Sequence, residues 1–463
     1  MFSRRLSALA ITLVMLVGCA SSPPIDAVDS ATSADTGVAA AQTRQLEATQ
    51  SQANTSDFTF EVNAQLVAAQ PLLPGLDGGA PRIVGVLQTP SGSTVEYVQN
   101  EVIFRPADTT DLEAFLARYE GVVLRDGSVP ASGSSPADGQ ASSGYYLIQI
   151  SAGTSSGDDL AANLGSRNVG GHHAFSSTTA AETAAVLARE FERDLRPNFL
   201  FAPAASAEHP TDAGDFLDAE AWTWFSEDDD PTTPGDQGLS VGVTHAWEYL
   251  DYVGVRPDNG TFNPPSIAII DGGFALDDSG LPTDGNTDYF PARPEQYDLV
   301  DYDGSAGGPN LMSCGGSPCP WHGTGAFGVA LARHGNQYGG AGTSGNYAWP
   351  MLLRIDSSFY TISSGIRASA IYGADVISLS LGGGCSVDAW ICSIPPDDMY
   401  TTMQADVDFA VTGGAVVLAA AGNDKVDIAT DDFIPCELAR VICVGSVDAN
   451  GQNIFNYGNG VDI

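Results

Sequence analysis

The chain has 463 residues, with 18 Lys or Arg against 57 Asp or Glu and a formal net charge of −39. That balance excludes nucleic acids and anionic membrane faces as electrostatic partners, since both require a cationic surface. Charged residues make up only 16% and hydrophobic ones 43%, so a large core can form, and the length leaves room for two or three domains.

Arg4 and Arg5 precede a largely apolar run, Leu6–Val17. It is shorter than the roughly 18 residues that span a bilayer and reads as a secretory signal peptide over 1–18. The run ends Leu16-Val17-Gly18-Cys19, which resembles a bacterial lipobox. The resemblance implies acylation of Cys19. Ala20, not Asp, at the next position implies an outer-membrane or cell-surface destination. A single lipidated terminus tethers a protein without spanning the membrane. Residues 20–56 are rich in Ala, Ser, Thr, Asp and Gln and lack periodicity. A flexible tether is expected over 19–94.

A compact pattern follows over 95–202. Glu101–Phe104, Val122–Leu124 and Tyr145–Ile150 read as strands, and Asn198–Phe201 closes the unit. Asp111–Tyr119, Asp158–Leu164 and Ala180–Phe191 read as helices. This order predicts a small α+β domain. His172 and His173 read as ordinary surface or helix-end histidines, as does His334. Residues 203–240 are rich in Ala, Pro and Asp and read as a linker.

Over 241–463 short apolar strands alternate with helices. Strands are expected at Ser266–Ile270, Met351–Ile355, Asp375–Ser380, Ala415–Ala420 and Val441–Val444. Helices are expected at Thr324–Arg333, Ser364–Tyr372 and Thr401–Val411. The alternation predicts a parallel sheet covered on both faces, with chemistry beyond the carboxyl ends of its strands. Apart from Cys19 the cysteines fall into three close pairs: Cys314 and Cys319, Cys385 and Cys392, Cys436 and Cys443. Export favours three local disulfides over a metal site, for which no C-x-x-C spacing appears.

Three segments carry reactive groups. Ile267–Ile270 runs into Asp271-Gly272-Gly273; Trp321-His322-Gly323-Thr324 opens a helix; Val416–Ala421 runs into Gly422-Asn423. An acid that orients an imidazole, an imidazole that accepts a proton and an amide that faces an oxyanion are parts of acyl-transfer catalysis. With Ile377-Ser378-Leu379-Ser380-Leu381-Gly382 between them, these motifs resemble, in order and spacing, those of the subtilisin-like serine proteases. The resemblance covers roughly 240–463. It implies an α/β fold with helices on both faces of a parallel sheet. It also implies a Ser/His/Asp endopeptidase in which Asp271 orients His322, Asn423 stabilises the oxyanion, and Ser380, Leu381 and Gly382 bind extended substrate. The domain over 95–202 resembles the propeptide that precedes some members, which implies a zymogen.

One part of the pattern differs. The family's nucleophile sits in a G-T-S-x-A motif some tens of residues beyond the point matched by Asn456-Tyr457-Gly458, and the sequence reaches only Ile463. Gly153-Thr154-Ser155 and Gly342-Thr343-Ser344 lie elsewhere in the pattern. The peptidase domain is therefore expected to be C-terminally incomplete here, and inactive without the serine segment. A non-catalytic surface lipoprotein that binds extended peptides is the competing class. Protein or peptide substrates are the expected partners of a monomeric enzyme. No cofactor is required. Structural calcium remains open at the acidic loops of Asp277, Asp278, Asp284, Asp288, Asp301 and Asp303, although solvated loops are the plainer reading.

Overall fold

The computed structural model describes residues 58–128, 143–151, 157–165, 171–203, 243–253, 255, 263–276, 294–307, 313–314, 317–318, 322–333, 342–384, 399–428, 433–447, 452–453 and 455–462. The signal, Cys19, the Gly153-Thr154-Ser155 string, residues 204–240, His334 and the aspartates at 277, 278, 284 and 288 lie outside them. So do Cys319, Cys385 and Cys392.

The front of the chain builds β1 (Phe58–Val62), β2 (Leu72–Leu73), β3 (Arg82–Gln88), β4 (Thr94–Phe104), α1 (Thr109–Tyr119), β5 (Val122–Arg125) and β6 (Tyr146–Gln149). It continues through α2 (Gly157–Gly165), β7 (Gly171–Phe175), α3 (Thr178–Arg189), β8 (Leu195–Phe199) and β9 (Ala202–Pro203). Local chemistry marks the helix starts. Asp108 accepts from the Asp111 amide at 2.9 Å, and Ser177 accepts from the Ala180 amide at 3.0 Å. The main sheet order is β1-β7-β3-β4-β6-β5, with β8 against β4.

Two expectations are corrected here. The tether does not extend to residue 94, because β1, β2 and β3 belong to the folded sheet. Strand β1 pairs in parallel with β7, more than a hundred residues away, and such a long-range partner is invisible in a local composition window. His173 is not at the surface: it lies on β7, 1% exposed, with its ring centroid 5.2 Å from that of Phe58.

The second half contains α4 (Val243–Tyr252), β10 (Ser266–Asp271), β11 (Glu295–Asp298), β12 (Ser313–Cys314), β13 (Ser317–Pro318), α5 (His322–Leu331) and β14 (Trp349–Arg354). Then come α6 (Phe359–Ile371), β15 (Val376–Leu379), β16 (Leu381–Gly384), α7 (Met399–Gly413), β17 (Val416–Ala420), β18 (Phe433–Ile434) and β19 (Val441–Val444). The six-stranded sheet runs β11-β14-β10-β15-β17-β19, and every neighbouring pair is parallel. The expected α/β architecture with a parallel sheet is the one observed. Its central strands are apolar without alternation because both faces are covered. Ile267 and Ile269 pack in one cluster with Phe327 and Leu331 of α5, while Ala268 and Ile270 pack in another with Ile362 and Ile366 of α6. No described helix is long and apolar enough to cross a membrane.

The parallel arrangement brings the carboxyl ends of β10, β15 and β17 to one edge. These ends lead into Asp271, Ser380 and the Asn423 loop. With β15 between β10 and β17, and strands about 4.8 Å apart, the outer two ends lie about 10 Å apart.

Candidate active site

Asp271 closes β10 and is fully buried, so its carboxylate needs donors. It has them. The Gly272 amide donates to Oδ1 at 2.7 Å, and His322 Nδ1 lies 2.9 Å from Oδ1 and 2.8 Å from Oδ2. A carboxylate only accepts, so Nδ1 carries the proton and Nε2 is the basic nitrogen. Both side chains are 0% exposed.

The sequence around His322 makes this approach possible. A Cβ on Gly323 would fall 2.9 Å from Asp271 Cβ and 3.0 Å from Phe274 Cε1. Glycine therefore lets the first turn of α5 close onto the end of β10. Thr324 Oγ1 then accepts from the Ala275 amide at 2.8 Å and fixes the loop that follows Asp271.

Asn423 follows β17 on a tight bend. Gly422 has φ 95°, in the left-handed region that favours glycine. Asn456, fully buried, clamps this bend from both sides. Its Nδ2 donates to Ala421 O at 2.8 Å, its Oδ1 accepts from Val426 N at 3.2 Å, and its own amide donates to Gly422 O at 3.2 Å. One side chain thus fixes both ends of the segment that carries Asn423. The sequence offers Asn456 only as a polar residue beside Tyr457-Gly458, and nothing local reveals its role.

Ser344 stands elsewhere. Its amide bonds to Ala330 O at 2.8 Å, eight residues along α5 from His322, or about 12 Å at the helical rise. It is fully buried there. Cys436 and Cys443 are joined by a disulfide with Cα atoms 4.6 Å apart, next to β19. Cys314 lies in the short β12–β13 hairpin.

The strand expected to hold substrate is paired on both edges. β16 pairs antiparallel with β9, with Leu381 opposite Pro203 and Gly382 opposite Ala202. Upstream, Phe201 N donates to Ser357 O at 3.0 Å, and Leu200 bridges Ser358. On its other edge β16 pairs with β18. Ser380, just before β16, is 9% exposed.

The two described acidic-loop residues are engaged within the protein. Asp301 takes Arg354 Nη1 at 2.9 Å and the Gly78 amide at 3.0 Å, and Asp303 takes the Ser305 amide at 2.8 Å. Among the described residues no group of three or more His, Cys, Asp or Glu side chains is arranged to hold a metal ion.

Residues 263–460 match the model of the subtilase family. They form a subtilase domain. Over 268 residues the chain is 30% identical to the extracellular protease of Xanthomonas campestris pv. campestris, covering 50% of this chain and 42% of that protein. It is 34% identical over 148 residues to the thermophilic serine proteinase of Bacillus sp. (strain AK1), covering 31% and 33%. It is 32% identical over 148 residues to thermitase of Thermoactinomyces vulgaris, covering 31% and 47%. The chain thus spans less than half the length of each of these relatives.

A neighbouring group in the subtilase domain gives a pH prediction. Asp298 is 1% exposed, and burial pushes its carboxyl up to about 6 against the pull of Arg354. Its folded value exceeds the ordinary 3.8, so the folded chain holds this proton where the unfolded chain has lost it. The resulting stability is complete below about pH 4 and is lost as pH rises through about 6, a change of about 3 kcal/mol. Thermal unfolding of wild type and Asp298→Asn at pH 4, 5.5 and 7 measures it. The wild type should lose this increment relative to the variant between pH 4 and 7; parallel profiles would remove Asp298 as the cause.

Proposed function

We propose that the chain is the front part of an exported, lipid-tethered zymogen of a serine endopeptidase. The observation that carries this reading is the buried His322–Asp271 pair, with Nδ1 bonded to both carboxylate oxygens at the carboxyl edge of the parallel sheet. Asn423, on the bend that follows β17 at the same edge of the sheet, supports it.

In this reading Nε2 of His322 takes the proton from a serine hydroxyl as Oγ bonds to the scissile carbonyl carbon. The carbonyl π electrons move onto oxygen, where the Asn423 amide donates to the oxyanion. Collapse breaks the C–N bond, and the leaving amine receives the proton from Nε2. Water, deprotonated by the same nitrogen, then releases the acyl group and restores the serine. Asp271 keeps its charge throughout and holds the ring in one tautomer. The nucleophile belongs to a G-T-S-x-A segment outside these 463 residues.

The domain ahead of the peptidase acts as its propeptide. The pairing of β9 with β16 supports this, since it engages Leu381 and Gly382, two of the residues expected to hold substrate. Cys19 is the acylation site, and a relative named as an extracellular protease is consistent with export.

A fluorophosphonate probe tests the reading. The full-length gene product should be labelled at one serine, and labelling should disappear in His322→Ala. A correctly folded product that never reacts, or a verified stop directly after Ile463, would leave a peptide-binding surface protein in its place.

A further inference from the structure

Beyond Leu381, strand β16 has no side chains of its own: it continues as Gly382-Gly383-Gly384. Its faces are covered from elsewhere. A Cβ on Gly383 would fall 2.8 Å from Phe201 Cδ1, so Phe201 lies over one face. A Cβ on Gly382 would fall 3.0 Å from Phe433 Cδ1 and Cζ, so the Phe433 ring lies over the other. That ring also reaches the Asn423 loop, where a Cβ on Gly422 would fall 2.8 Å from Phe433 Cε2. Phe433 is therefore wedged between the cleft strand and the backbone beside Asn423, 7% exposed. It is held there by the pairing of Phe433 with Gly384 and by the Glu437 amide, which donates to Phe433 O at 3.0 Å.

Resting on the peptidase reading above, the register of β9 shows how a substrate would meet this ring. A peptide bound as β9 is, with successive residues opposite Gly382 and Leu381, presents its next residue at Ser380. Ser380 follows the end of β15, between the strand ends that carry Asp271 and Asn423, so this residue contributes the scissile carbonyl. Positions two apart on a strand share a face, and directly opposed residues point the same way. The residue opposite Ser380 therefore projects to the face of Gly382, where the Phe433 ring lies.

We propose that Phe433 is a specificity-determining residue that limits the side chain on the acyl side of the scissile bond to Gly, Ala or Ser. Its ring takes the volume that a long or aromatic substrate side chain would need, and glycine backbones on both sides leave it packed in place. The chain's own sequence is compatible with this: the residue after Pro203 is Ala204, a small side chain.

The test is the hydrolysis of succinyl-Ala-Ala-Pro-X-p-nitroanilides, with X as Gly, Ala, Leu or Phe, by the full-length gene product. Wild type should cleave X = Ala about 100-fold better than X = Phe in kcat/KM, the scale on which a pocket rejects an oversized group. Phe433→Ala should bring that ratio to about 1 or below by gaining on Phe, with Phe433→Leu in between. If the variants do not fold, the wild-type series alone decides. Wild type that cleaves X = Phe as well as X = Ala overturns the proposal and leaves the peptidase reading intact. No hydrolysis of any X, with no fluorophosphonate labelling, overturns both.

Discussion

His322→Ala in the full-length gene product should lower kcat on a peptide anilide by about six orders of magnitude, and Asp271→Asn by about four. The difference follows from what each group does. Without the imidazole nothing accepts the hydroxyl proton. Without the carboxylate the imidazole survives, but its tautomer is no longer fixed by two oxygens at 2.8 and 2.9 Å. The double variant should be little worse than His322→Ala alone, since the two act as a unit. Asn423→Ala removes only the proposed oxyanion donor and should cost about 10²–10³ in kcat with KM nearly unchanged. Steady-state kinetics on the variants, with circular dichroism to verify folding, gives all four values. An Asp271→Asn enzyme with wild-type kcat would show that the buried pair is structural.

Much of this site was legible because its parts are local. Asp271 is the polar end of an apolar strand, His322 opens a helix whose second residue is glycine, and Asn423 closely follows another strand. Each lies within a few residues of the pattern that reveals it; the parallel sheet brings the ends of β10 and β17 to one edge, and the first turn of α5 carries His322 to Asp271. What escaped is non-local. Asn456 acts on a loop about thirty residues away, and its side chain resembles any surface amide until that loop closes on it. β1 gains its place only by pairing with β7, more than a hundred residues away. The role of Phe433 depends on two glycines in other segments. Sequence periodicity reports which face of an element is buried, but not which distant group buries it.

Arg82→Ala should cost the chain about 3–5 kcal/mol, and most of the loss should appear as release of the front domain from the subtilase domain. Arg82, 7% exposed on β3, donates to Glu101 Oε2 at 2.9 Å within the front domain and also bonds to Asp356 of the subtilase domain. Glu101 and Asp356 are 1% and 2% exposed. Burial holds the Glu101 carboxyl above its usual range even beside Arg82, so that charge depends on its guanidinium. Asn198 joins the same network, donating to Glu101 at 2.8 Å and accepting from the Tyr360 amide at 3.2 Å. Alanine at 82 leaves two buried carboxylates facing one another across the interface. Neutral replacements should undo much of the damage: Arg82→Met with Glu101→Gln and Asp356→Asn leaves no unpaired charge and should recover most of the lost stability. The cost corresponds to a shift of about 10² to 10³ or more in the docking equilibrium constant of the front domain. Urea unfolding of the three forms measures the total, and hydrogen exchange at β9 and β16 separates local release from global unfolding. Arg82→Ala should raise exchange at Leu381 and Gly382 well before the core strands β10 and β15 respond. If instead both domains lose protection together, the network stabilises the chain as a whole and does not latch the cleft.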